Sequence, residues 1–464
     1  MDFKKIFSFI PEVRKPEEKK LSFNVKLKWT LIVLGAFFIL ANISLFGLSS
    51  NALERFEYLA IIMGTDFGSI ISLGIGPIVM ASIILQLLIG SEIVRIDVHN
   101  PEGKKLYQGI QKLLVFFFII FESMIYVFMN GLQALPGFAG IVIAQLILGG
   151  LAIYFMNEVC EKWGFGSGVS LFIGAGVSWR IFTNLFQFID QQGKSCLMDF
   201  ANTACAGKVL VMIQSIVNRY PVEFLDAFTA IAVTVAIFLI IVWAQSLKVE
   251  IPLSFGRIRG YGVKWPLAFF YSSVIPVIFA AALVANIQLF GVMFENWLGH
   301  ATFLGHFVDG QAVSGLGFWL GSTNIRELWV RGGFMPIYLL QSVIHILFYM
   351  ILCTVFSVFW VKTSGMDARA QARNIANSGL QVAGFRQDNR ILESILERYI
   401  LPLTIMGGAA IGLLAGLTNI LGAIVSGTAI LLVIMIIYQF YQNIAQQHAT
   451  DMNPAMRKFM GGGN

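Results

Sequence analysis

Charge is scarce in this sequence. Only 12% of its 464 residues are Asp, Glu, Lys or Arg, about half the share of a soluble globular domain. Histidine is scarce too, at five, and the four cysteines are too scattered to frame a metal. Walker A, H-E-x-x-H and G-x-S-x-G patterns are all missing. The nucleotide-driven, metallopeptidase and serine-hydrolase chemistries that they mark therefore have no support. Ionisable residues inside apolar runs are rare: Glu122, in LVFFFIIFESMIYVF, and His345 stand out. A proton relay or an acidic cation filter would need more of them. With no motor in the chain, any transport that it supports is driven by a partner.

What is present is hydrophobic. Residues of the AVILMFWYC set make up 57% of the chain, and glycine is frequent, at 45. This is a polytopic membrane protein, with room for about ten spans of ~20 residues and short loops. Charge-free runs predict an all-α fold with spans near 28–48, 72–92, 106–130, 138–159, 167–188, 227–247, 265–292, 334–361, 398–416 and 420–445. The first run is too long for a signal-peptide core and reads as an uncleaved helix. Residues 53–66, LERFEYLAIIMGTD, hold a shorter apolar stretch, which suits a re-entrant or interfacial segment.

Lys and Arg placement sets the orientation. With the N-terminus inside, 25 of the 32 basic residues fall on the cytoplasmic side. Outside remain Arg55, Arg180, Lys194, Lys208, Arg219, Arg326 and Arg331. Both termini are expected in the cytoplasm of a cell-membrane protein. The predicted organisation is an amphipathic cytoplasmic segment (1–27), a first half of five spans (28–220), a second half of five (221–447) and a cytoplasmic tail (448–464). Five spans per half give the halves opposite orientation, the inverted-repeat plan.

The stretch SLGIGPIVMAS (72–82) asks why a membrane span would carry Gly-Ile-Gly-Pro. Such a break is tolerated only where protein or a water-filled cavity surrounds it. Its counterpart in the second half is Ile275-Pro276, within SSVIPVIFAAAL. GFGSGV (164–169) at the fifth span is likewise matched by VSGTAI (425–430) at the tenth. Aliphatics stand beside each break: Ile75 and Val79, Val169 and Ile173, Ile278, and Leu432. If the four breaks face one axis, these side chains meet as an apolar constriction, which hinders water and ions by dewetting. Lipid-facing aliphatics are the plainer reading of the same residues. Asn286 and Gln288 add polar groups to the seventh span; interhelical hydrogen bonding would equally account for them. Two cytoplasmic loops are long and basic. One carries Arg257, Arg259 and Lys264, and the other, with VAGFRQDNR at its tip, carries Arg386. Exposed guanidinium groups suit a phosphate-rich partner such as an RNA-containing particle.

Taken in order, IPEV (10–13), LKWT (27–30), LGIGPIV, ASIILQLL, GFGSGVSLFI, VEIPL, GRIRG, IPVIFAAALVANIQL, GFR, RYILPLT and MNPAM resemble the SecY family, in its archaeal form. The resemblance covers nearly the whole chain. It implies ten helices in two pseudo-symmetric halves and a protein-conducting channel, with no cofactor and no enzymatic activity. A pore ring of Ile75, Val79, Val169, Ile173, Ile278 and Leu432 would seal it. A plug over 53–66, with Phe56, Leu59 and Ile62, would close it from outside. Spans 2, 3, 7 and 8 would form a lateral gate with polar positions at Glu122, Asn286 and Gln288. Met80 stands at a gate position where the family usually has a small hydroxyl residue. Arg257, Arg259, Lys264 and Arg386 would dock the ribosome. Two small tail-anchored subunits, nascent chains with their signal sequences, and membrane lipid are the implied partners.

Cys196 and Cys205 fall in the loop predicted to lie outside. They would be either a disulfide stapling CLMDFANTAC or two free thiols. Two competing functions share parts of this pattern. A secondary transporter also uses inverted repeats and broken helices, but would want charges within the membrane. A ribosome-docking scaffold would leave the four breaks unexplained.

Overall fold

The computed structural model describes residues 11–18, 21–51, 65–91, 93–94, 96, 100–129, 131–188, 195–196, 205–255, 262–272, 274–308, 311–333, 335–377, 380–382 and 389–452. The first five spans are α1 (Phe23–Ala41), α2 (Gly76–Gly90), α3 (Pro101–Phe128), α4 (Ala139–Trp163) and α5 (Gly168–Phe186). Then follow a short α6 (Lys208–Asn218), α7 (Pro221–Ser246), α8 (Ile275–Leu298), short α9 (Gly315–Leu320) and α10 (Ile325–Arg331), α11 (Ile337–Thr363), short α12 (Ala368–Asn377), α13 (Asn389–Leu421) and α14 (Gly427–Met452). Among the described residues nine helices are long and apolar enough to cross a membrane. The remaining expected span is α2, with 15 residues. At 1.5 Å per residue it covers only about 22 Å of a hydrocarbon core of about 30 Å.

The fault lies at the Gly-Ile-Gly-Pro break. Residues 67–75 form turns rather than helix. Gly74 takes φ +53°, which L side chains avoid. Pro77 then starts α2, where its missing N–H costs nothing. Residues 71–75 are all buried, so this irregular backbone is walled by protein, as the membrane requires.

Other boundaries shift for identifiable reasons. The first span ends at Ala41 rather than residue 48, because β1 (Leu48–Asn51) pairs antiparallel with β2 (Leu132–Ala134). The seventh begins at Ile275 rather than 265, because β3 (Lys248–Phe255) and β4 (Gly262–Ala268) form a hairpin. Strands β5 (His306–Val308) and β6 (Gln311–Ser314) also pair. On β3's other edge lies β7 (Leu380–Val382), so both long basic loops rise from one three-stranded sheet. Beneath it Ile251, Leu267, Ile375 and Leu396 form a second apolar core, distinct from that of the spans.

Within each half, consecutive spans pack in succession: α2–α3–α4–α5 and α8–α11–α13–α14. The halves meet along α5 and α14 on one side and along α2 with α8 and α11 on the other. Glycine doublets mark the repeat. A Cβ on Gly149 of α4 would lie 1.9 Å from the Ile70 carbonyl oxygen, and one on Gly150 would press on Ile119 of α3. On α13, Gly407 and Gly408 stand likewise against Phe269 and against Thr354 and Ser357 of α11. Each half thus presses its fourth span onto the chain entering its second span and onto its third.

Candidate functional site

The side chains flanking the four breaks all lie in, or pack against, the main apolar core. Ile75, Val79, Ile173, Ile278 and Leu432 are at most 3% exposed and belong to one apolar cluster, against which Val169 packs. A cavity of about 1130 Å³ leads to it. The cavity's lining runs from Glu12, Glu102, Lys105 and Lys112 to Val79, Val169 and Ile278. The cavity's lining thus combines charged and aliphatic side chains.

The charged part of the lining is bound by a strap that the sequence did not disclose. Val13 N–H donates to Glu158 Oε2 (3.0 Å), and the Trp163 indole N–H donates to the Arg14 carbonyl (2.9 Å). Glu12 pairs with Lys162 (2.6 Å) on α4 and Lys112 (3.0 Å) on α3, and buried Glu158 pairs with the same two lysines. The Lys162 ammonium, hydrogen-bonded to Glu12, and the neighbouring Lys112 pull that carboxyl down to about 2.

The two seams between the halves differ in chemistry. On the α5/α14 side, Asn184 Nδ2 donates to the Ile424 carbonyl (3.3 Å). At the opposite membrane face, Lys26 Nζ donates to Gln447 Oε1 (3.1 Å) and Gln447 Nε2 to the Leu21 carbonyl (3.1 Å). Across the other seam, Gly90 at the end of α2 abuts the Phe359 ring of α11. One side is tied at both faces; the other is packed with apolar groups.

Glu122 and Asn286 are both buried, on α3 and α8. They are not hydrogen-bonded to each other: Asn286 Nδ2 donates to the Ala282 carbonyl (2.8 Å), and the Glu122 oxygens have no hydrogen-bond partner among the described residues. Gln288, also on α8, has its Nε2 near Gly321 in the loop after α9. Met80 is half-buried against the main core. The expected plug residues Phe56, Leu59 and Ile62 lie outside the described residues, as do Arg257, Arg259 and Arg386. Lys264 sits on β4 opposite Pro252.

Two polar clusters escaped the sequence reading. Asp226, placed ahead of the sixth span by hydropathy, is inside α7 and buried. Arg326 NH1 reaches its Oδ1 (2.7 Å), Lys208 reaches its Oδ2 (2.9 Å), and Arg326 Nε donates to the Gly422 carbonyl (2.8 Å). His345 is no free intramembrane charge: its Nδ1 meets the Leu320 carbonyl (2.8 Å) and its Nε2 the Asn419 amide (3.2 Å). Cys196 and Cys205 are joined as a disulfide, with Cα atoms 5.3 Å apart.

The SecY family model matches residues 69–441, a stretch that takes in all four breaks. The chain belongs to the SecY family. It is 39% identical to the protein translocase subunit SecY of Methanothermobacter thermautotrophicus, over 99% of this chain and 98% of that one. The SecY of Methanocaldococcus jannaschii is 38% identical, with 98% of each chain covered. Among solved structures, a protein-conducting channel superposes with a TM-score of 0.82 at 34% identity, covering 98% of this chain and 99% of the other. Sec61 in a canine ribosome–channel complex gives 0.78 at 34% identity, covering 98% and 99%. The family is one of translocation channels rather than enzymes.

Proposed function

We propose that this SecY chain is the central channel subunit of a protein translocase. It conducts unfolded polypeptides passively and releases apolar segments sideways into lipid. The observation that carries the reading is the cavity whose lining joins charged groups to aliphatic side chains from three of the interrupted spans, Val79, Val169 and Ile278. A narrow aliphatic ring blocks water and ions yet gives a passing chain no fixed partner to hold it. Ile75, Val79, Val169, Ile173, Ile278 and Leu432 are that ring. The lateral gate is the seam of α2 and α3 with α8 and α11, with Glu122, Asn286 and Gln288 its polar groups. Packing alone closes such a seam, because lipid tails are as apolar as the side chains. The tied α5/α14 side acts as the hinge.

The cavity opens to the cytoplasm, and both termini lie there, as the Lys and Arg distribution favours. The segment over 53–66 serves as the plug. The loops carrying Arg257, Arg259, Lys264 and Arg386 dock the ribosome, and their shared sheet supports a common docking surface. Two small tail-anchored subunits complete the complex. The test is a photo-reactive residue at Ile75, and separately at Ile278, in membranes holding a stalled secretory chain. Crosslinks from both positions to the chain are expected. Crosslinks from neither, with the Arg386 loop still crosslinking to the ribosome, would make the protein a docking scaffold.

A further inference from the structure

Each half begins its fifth span with the same device. Val169 N–H, in the first turn of α5, donates to Asn157 Oδ1 from α4 (2.9 Å). Thr428 N–H, in the first turn of α14, donates to Asn419 Oδ1 from α13 (2.7 Å). Both asparagines are 7% exposed. The first helical residue is glycine in both cases. A Cβ on Gly168 would lie 2.6 Å from Asn157 Cα, and one on Gly427 would lie 2.4 Å from Asn419 N. Ser167, at the usual capping position of α5, makes no side-chain cap bond. On α5 the cap oxygen comes instead from the preceding span; on α14 the Asn419 oxygen is joined by Ser426 Oγ, which accepts from Ala429 N–H at 3.4 Å.

The far end of each amide is also held. Asn157 Nδ2 donates to Glu161 Oε1 (3.0 Å). Asn419 Nδ2 donates to His345 Nε2 (3.2 Å), whose Nδ1–H is committed to the Leu320 carbonyl (2.8 Å). An amide whose nitrogen is occupied in this way can turn only its oxygen to the helix N–H. Orientation in the two halves thus comes from different neighbours and converges on the same bond.

The capped residue and the expected ring residue are four apart in both halves: Val169 and Ile173, Thr428 and Leu432. Residues i and i+4 share a helix face. Anchoring the first-turn N–H therefore fixes the rotation of the helix about its axis, and with it the direction of the ring side chain one turn on.

Resting on the channel reading above, we propose that Asn157 and Asn419 are a symmetry-related pair of positioning residues that aim Ile173 and Leu432 into the constriction. Neither asparagine belongs to the ring itself. The seal depends on them because a helix free to rotate carries its ring side chain off the axis.

The test uses the assembled complex in proteoliposomes, with resting ion conductance and chain crosslinking as readouts. Asn157→Ala and Asn419→Ala should each raise resting conductance roughly five- to tenfold, the equilibrium ratio that corresponds to one lost cap. A photo-reactive residue at position 173 should lose its crosslink to a stalled chain in Asn157→Ala but not in Asn419→Ala. One at position 432 should behave in the opposite way, and one at 278 should be unchanged in both. Asn419→Asp keeps the accepting oxygen, and its second oxygen can accept from His345 Nε2, so it should restore the seal. Asn157→Asp should not, because its second oxygen would face Glu161 Oε1. General unfolding would lower all three crosslinks together and would overturn the proposal, as would Ala variants that seal like the wild type or an Asn419→Asp variant that leaks like Ala. If the wild-type complex crosslinks at none of the three positions, the channel reading itself fails.

Discussion

At the scale of single residues, buried charge is the most exacting feature of the molecule. Asp226 is enclosed in α7 with Arg326 and Lys208 on its two oxygens, and Arg326 also holds a carbonyl of the loop between α13 and α14. Removing one partner of a buried pair strands the other. Arg326→Ala should therefore lower stability by about 3 kcal/mol, read as a drop in the melting temperature of the purified complex. Lys208→Ala should cost less, because the Lys208 side chain is 33% exposed and solvent screens its share. Glu12 makes a prediction of the opposite kind. Its carboxyl is held near 2, below its usual value of 4.5. A depressed carboxylate contributes fully above its unfolded value and loses that contribution as pH falls through its folded one. Protease protection of the N-terminal strap should thus be constant from about pH 5 upward. Protection should fade only below that, and Glu12→Gln should weaken it at neutral pH.

At the scale of elements, hydropathy showed where the spans are and mistook several of their ends. The errors have a common origin. β1 ends the first span early by pairing with residues 132–134, far along the chain, and no local pattern in LSSN announces that partner. The hairpin of β3 and β4 displaces the start of α8, although VKWPLAFF is apolar enough to read as span. Nothing local singles out Asn157 and Asn419, because the N–H groups that they cap belong to the next span. A signal was present: Ser-Gly stands immediately before both capped residues, at 167–168 and 426–427. The glycine doublets yield an element-scale prediction. Gly149 faces backbone, which cannot retreat as a flexible side chain can, whereas a Cβ on Gly35 would meet nothing within 4 Å. Gly149→Ala should push α4 away from the turn ahead of α2, costing about 1–3 kcal/mol as overpacking does. Gly35→Ala should leave the melting temperature within about 1 °C or raise it slightly, since alanine favours helix over glycine.

At the scale of the whole molecule, four cysteines divide into two buried thiols, Cys160 and Cys353, and one disulfide. Titration under denaturing conditions should find two thiols without reductant and four with it. The bond joins residues nine apart in the connection between the halves, on the side that the basic residues assign to the exterior. Its consequence reaches back to how the protein is made. Oxidising surroundings outside the cell favour such a bond; with the orientation proposed above, the cystine is expected to close once that loop has itself been carried across. Each mature molecule then bears a covalent record of its own export. Any copy whose first half never threaded, or threaded backwards, stays reduced and can be counted on a gel.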